Sequence, residues 1–307
     1  SLMKGIAEIK GFFYGNYFYA ICAVALSIEC SLQLGLPLNN VFYYLLIGFA
    51  TVLYYTHAYY IETKRTPIAL NDRTAWYLRN KKKIERTQLI LTFLLATITL
   101  LVVNGLQPHF SKVNTKSWLI LFSFFVIGIA YYKHMHPFWG KWGLRNNGLI
   151  KPLIIGWVWA GTVSFSPVFF YDLSNPGQDK SLDTLTGLLF IKNSLFISIL
   201  CILFDIKDYA NDANQHLKTW VVQFGLRKTL FWVIYPMTIL SVLAYWIFAI
   251  GQEFSIFRIL FNSIPYVLLI TVCTFMHQRK SILYYLAIID GLMLVKAICG
   301  ITGMLGN

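Results

Sequence analysis

The chain has 307 residues, of which 57% are hydrophobic and only 13% charged, with a formal net charge of +13. Soluble domains carry about a quarter charged residues, so this composition excludes a soluble globular protein and describes an all-α, polytopic membrane protein. The excess positive charge lies in connectors rather than in a soluble basic domain, so membrane topology and anionic headgroups explain it and nucleic acid is not a partner.

A membrane helix needs roughly 20 mostly apolar residues. Runs of that kind lie near 11–31, 40–60, 88–106, 117–133, 150–170, 185–205, 229–250, 256–277 and 282–304, nine in all, within a single domain covering 1–307. The first run is too long for the apolar part of a signal peptide and reads as a permanent span. No strand-like alternation interrupts these runs, and backbone groups in lipid must be satisfied internally, so the spans are expected as helices. Lys and Arg concentrate ahead of the first span and in the even-numbered connectors, for example Lys64, Arg65, Arg73 and Arg79 after the second and Lys207, Lys218, Arg227 and Lys228 after the sixth. The Lys/Arg rule then puts the N-terminus in the cytoplasm and the C-terminus outside.

The longest polar stretch follows the second span. Its "RTAWYLRNKKKIERTQ" (73–88) has the composition of a short interfacial helix that Trp76 and Tyr77 could anchor among headgroups, or of a solvated basic loop. Cys22, Cys30, Cys201, Cys273 and Cys299 fall inside apolar runs without metal spacing and read as small buried hydrophobes. His134 and His136 show no zinc-ligand pattern. Glu29, Lys192 and Lys296 sit within apolar runs and are expected to face the bundle interior. Asp290, early in the last run, is adequately explained by a solvated or capping role.

The sixth run ends in Asp205, Asp208 and Asp212. At i, i+3 and i+7 on one helix, three carboxylates would share a face. Like charges on one stripe repel, and hard cations such as Mg²⁺, which bridges carboxylate to phosphate, relieve that repulsion. The bland alternative is the solvated exit of a helix.

"DIKDYANDANQHLKTWVVQFG" (205–225) resembles the second Asp-rich motif of the UbiA superfamily of intramembrane prenyltransferases. Asp205, Asp208 and Asp212 fall on its acids, Lys218 and Thr219 on its Lys/Arg-Thr, and Gly225 on its closing glycine. His216 stands where the family often has glycine. "LRNNGLIKPLIIGWVWAG" (144–161) and "YYLAIIDGLML" (284–294) look like the family's entry to span 5 and its last helix. The family's first motif, N-x-x-x-D-x-x-x-D at the end of span 2, supplies a second Mg²⁺ site. Here that segment reads "YYTHAYYIETKRTPIAL" (54–70), with Tyr55, His57, Tyr59 and Tyr60 in place of the acids and Glu62 alone remaining.

The resemblance implies a nine-span UbiA-like bundle with its site opening to the cytoplasm, expected in a bacterial cytoplasmic (inner) membrane. It implies transfer of an isoprenoid chain from a prenyl diphosphate to a lipophilic, possibly aromatic, acceptor with Mg²⁺ as cofactor. Asp205, Asp208 and Asp212 would be catalytic, and Asp208, Asp212 and Glu62 would be the metal ligands. Lys151, Arg145 and Lys218 would draw off pyrophosphate, with Lys64 and Arg65 substituting for a second ion. Tyr55, Tyr59 or Tyr132 would face the allylic cation. Two alternatives stay open: a catalytically impaired relative that binds diphosphate lipids or serves as a membrane-complex subunit, and a cyclase on the same fold. A secondary transporter is disfavoured, since no pair of Gly/Pro-broken spans lies in matching halves.

Overall fold

The computed structural model describes residues 2–65, 67–68, 71–131, 147–214, 216–278 and 280–306. Among them every element is a helix. In chain order these are α1 (Leu2–Tyr14), α2 (Tyr17–Gln33), α3 (Val41–Arg65), α4 (Asp72–Arg79), α5 (Lys81–Leu106) and α6 (Thr115–Tyr131). There follow α7 (Lys151–Ser174), α8 (Thr184–Asp205), α9 (Tyr209–Asn214), α10 (Trp220–Phe224), α11 (Leu226–Gly251), α12 (Ile256–Thr274) and α13 (Ile282–Leu305). Seven of them are long and apolar enough to cross a membrane: α3, α5, α7, α8, α11, α12 and α13. The bent pair α1–α2 makes an eighth. α6 is a shorter apolar helix of 17 described residues.

The first apolar run is not one helix. It turns by 60° between α1 and α2, where Asn16 takes the left-handed conformation at φ 64°. Its buried side chain holds the corner, donating to Thr56 Oγ1 at 3.1 Å and to the Tyr77 hydroxyl at 3.0 Å.

Pairing of neighbours closes a ring: α5 on α3, α3 on α2, α2 on α13, α13 on α12, then α11, α8 and α7, with α7 touching α2 again. α8 is apolar on most of its faces and packs on α7 and α11, burying residues from Leu189 to Leu203 while Ile191 stays exposed. α5 is its opposite: Leu89 and Phe93 are 74% and 72% exposed, so lipid covers this helix.

The ionisable residues of the spans do face inward, as expected from the cost of charge in lipid. Glu29 on α2 receives Lys296 Nζ of α13 at 3.0 and 3.2 Å, and Lys192 Nζ of α8 lies 3.6 Å away. Gln33 bridges the group to Asn262 of α12 (2.8 Å) and accepts from Lys192 (3.0 Å). All five side chains are buried. Gly300 makes room for the carboxylate: a Cβ there would sit 2.4 Å from Glu29 Oε1.

Candidate functional site

α8 stops at Asp205, and Ile206–Asp208 form a turn before α9 begins at Tyr209. The three aspartates therefore do not form a stripe on one helix. They wrap around the end of α8 and into α9, tied by Asp208 N–H donating to Asp205 O (3.1 Å) and Asp212 N–H to Asp208 O (2.8 Å). The break matters because each carboxylate gains a separate environment.

Asp205 is buried and accepts Lys151 Nζ, from the start of α7, at 2.6 Å. Its second oxygen is buried without a hydrogen-bond partner among the described residues. Asp208 pairs with its neighbour Lys207 and is 40% exposed, the outermost of the three. Asp212 is buried, and its Oδ2 likewise lacks a partner among the described residues. Burial pushes the Asp212 carboxyl up to about 6; Lys151 opposes the shift, and Asp205 and Asp208 add to it. Burial also lowers the Lys207 ammonium, against the pull of Asp208.

The bundle interior among α2, α3 and α7 holds a cluster of aromatic side chains. Tyr55 on α3 stacks on Tyr19 of α2 (ring centroids 4.7 Å) and accepts Trp159 Nε1 of α7 at 2.6 Å. Tyr19 donates to the buried Asp290 of α13 at 2.5 Å. Asp290 is thus neither solvated nor capping; the π-helical segment Tyr285–Ile289 just ahead of it turns it inward. Tyr59, one turn beyond Tyr55, lies under the Arg73 guanidinium, 3.9 Å from Cζ to the ring centroid. Arg73 belongs to α4, which the capping box of Asn71 and Thr74 starts. α4 is not an interfacial float: Tyr77 is buried, donating to Tyr14 O at 2.8 Å, and Trp76 packs on Tyr14.

The remaining expected residues divide. Lys64 is exposed and lines a pocket of about 120 Å³ with Tyr60, Tyr77 and Lys81. Glu62 is exposed at the end of α3. His57 and Tyr60 turn toward α5, where Tyr60 donates to Glu85. Lys218 is exposed, while Thr219 beside it is buried and caps α10 through Val222 N–H. Arg145 and Tyr132, with His134 and His136, fall outside the described residues, as does the Arg65 side chain. Sequence reasoning had not singled out Lys207, Arg73, Tyr19 or Trp159 as site residues. The one available signal was Lys207, which lies between two of the motif acids.

Two positions explain the motif in backbone terms. Gly225 has φ 77° and ψ 164°, a region essentially restricted to glycine, at the joint between α10 and α11. His216 has φ 54°, so the conformation that favours glycine at this motif position persists here with a side chain in it.

Among the described residues no three His, Cys, Asp or Glu side chains stand in metal-binding geometry. Carboxylate oxygen suits Mg²⁺, and the partnerless Asp212 Oδ2 beside the outward Asp208 fits one such ion. The end of α3 does not fit a second: Glu62 is its single acid and is exposed, and tyrosines, a histidine turned away and the Arg73 guanidinium make up the rest.

No family model matches the sequence, and no curated protein does. A solved structure does match in fold, described as "Structural and mechanistic insights into the biosynthesis of Digeranylgeranylglyceryl phosphate synthase in membranes". The two superpose with a TM-score of 0.60 over 97% of this chain and 98% of that one, at 14% identity. The chain described here shares the fold of that synthase over nearly its whole length.

Proposed function

We propose that this protein is a UbiA-type prenyltransferase that moves an isoprenoid chain from a prenyl diphosphate to a lipophilic acceptor. The observation that carries this reading is the pairing of an aspartate–lysine cluster around the end of α8 with a buried cluster of aromatic side chains on α2, α3 and α7. The first suits a cation-bound diphosphate, the second an allylic cation.

Asp208 and Asp212 are the residues that would hold Mg²⁺, which when bound neutralises diphosphate charge and favours its departure. Lys151 holds Asp205 in place, and Lys207 adds positive charge at the mouth. The allylic C–O bond breaks with its electron pair leaving on pyrophosphate. The faces of Tyr55, Tyr59 and Tyr19 stabilise the carbon left positive, and the acceptor attacks that carbon and loses a proton. The isoprenoid tail lies among apolar side chains of the spans. Following the Lys/Arg bias, the aspartate end faces the cytoplasm, α6 completes nine spans, and the host is a bacterial inner membrane.

A second reading, a diphosphate-lipid binder without turnover, draws support from the lysine pairing of two of the three aspartates and from the missing first motif. Pyrophosphate release from geranyl, farnesyl and geranylgeranyl diphosphates separates the two. Release that needs Mg²⁺ and disappears in Asp208→Asn/Asp212→Asn supports the enzyme. Thermal stabilisation by the same lipids without release supports the binder, and neither response refutes both.

A further inference from the structure

The end of α3 holds a cation of its own. Arg73 lies over the Tyr59 ring at 3.9 Å, and its Nη1 is buried without a hydrogen-bond partner among the described residues. Asp208 and Asp290 are within its electrostatic reach, as is Lys207, so the guanidinium lies close to the aspartate cluster. Its position is fixed from behind. The capping box starts α4, Asp72 pairs with Lys10 of α1 at 3.0 Å, and Tyr77 ties α4 to the α1–α2 corner.

A buried N–H without an acceptor is an unfavourable state that proteins rarely leave unresolved. The Tyr59 ring, 3.9 Å from Cζ, offers attraction to the positive charge but no acceptor oxygen to the N–H donors. A planar fork of donors suits phosphate oxygens, two at a time. The same end of α3 offers a single carboxylate, the exposed Glu62, too few to retain a metal ion of its own.

We propose that Arg73 takes the place of a second divalent ion, so that the diphosphate is held between one metal on Asp208/Asp212 and one guanidinium on α4. This rests on the prenyl-diphosphate reading above, and it makes the site mononuclear. Arg73 acts as a binding residue for the leaving group, and α4 as the strut that positions it.

The test uses the purified full chain in detergent with inorganic pyrophosphate as probe. Titration calorimetry with Mg²⁺ gives affinity, and Mn²⁺ electron paramagnetic resonance counts ions. The expected results are one Mn²⁺ per chain with pyrophosphate present, and a loss of pyrophosphate affinity of at least about tenfold in Arg73→Met. Arg73→Lys keeps the charge and is expected to recover part of that loss, which separates loss of the site from loss of the fold. Two ions per chain, or unchanged affinity in Arg73→Met, overturns the inference and leaves the functional reading standing. Failure of the unmodified protein to bind pyrophosphate with Mg²⁺ overturns the functional reading and this inference with it.

Discussion

Glu29 offers the sharpest test of how the bundle is held together. Two lysine nitrogens face a single carboxylate in the membrane interior, Lys296 at 3.0 Å and Lys192 at 3.6 Å. Glu29→Gln leaves both without a counter-charge. Removing one partner of a buried pair costs about 3–5 kcal/mol in soluble proteins, and unfolded helices in micelles find substitute partners, so the lower end, about 3 kcal/mol, is expected. Lys296→Met removes two hydrogen bonds but leaves Lys192 beside the carboxylate, for about 2 kcal/mol. Lys192→Met removes the more distant cation and leaves a one-to-one pair, so the main loss is the 3.0 Å bond to Gln33, about 1 kcal/mol. The order of destabilisation is therefore Glu29→Gln, then Lys296→Met, then Lys192→Met. Equilibrium unfolding in mixed SDS and maltoside micelles, followed by tryptophan fluorescence, measures all three. A Lys192→Met variant as unstable as Glu29→Gln would refute the reasoning, because it would mean that the two cations are equivalent and the group is not limited by its one carboxylate.

Three further outcomes follow from local geometry. Gly225→Ala forces a Cβ into φ 77°, ψ 164° and is expected to lose about 1–3 kcal/mol in the same unfolding assay, with no contact in the aromatic cluster changed. At His216, φ 54°, substitution by Gly is expected to change stability by less than about 0.5 kcal/mol, the relief of strain offsetting added chain entropy, whereas His216→Val loses about 1–2 kcal/mol. Asp212 has its carboxyl raised to about 6 by burial, so the folded state holds a proton that the unfolded chain, at about 4, releases. Stability without Mg²⁺ should therefore rise as pH falls from about 7 to about 5 and be lost as pH climbs through 6. Thermal melts across that range should show this component in the unmodified protein and not in Asp212→Asn.

The membrane helices were legible in composition because lipid imposes one demand on every residue of a span. The aspartate end of α8 was legible for a different reason: acids at a helix exit carry a spacing. What escaped were features set by the chain folding back on itself. Periodicity treated 205–212 as one helix, but Lys151 holds Asp205 at the last residue of α8 and the chain turns there. The run 11–31 read as unbroken because Gly15 and Asn16 are too few to interrupt an apolar pattern, although Asn16 makes the corner. Arg73 looked like one more cation of a basic loop. Its burial depends on Tyr77 and Asn16 docking α4 on the bundle, a contact between residues 61 positions apart. Asp290 was passed over because its partner, Tyr19, is 271 positions away.

The short π-helical segments carry a consequence for reading relatives of this chain. Gly161–Phe165 in α7, Leu230–Ile234 in α11 and Tyr285–Ile289 in α13 each fit one more residue into a turn than an α-helix does. In the language of alignment, each is a one-residue insertion inside a membrane helix, where gaps are ordinarily forbidden. Aligned without that gap, every position on one side of the segment is rotated by about 100° against its true counterpart. A lipid-facing residue is then compared with an inward-facing one, as Asp290 would be. Where two proteins share a fold over nearly their whole length at low identity, phase within each helix has to be settled from structure before any residue is declared replaced.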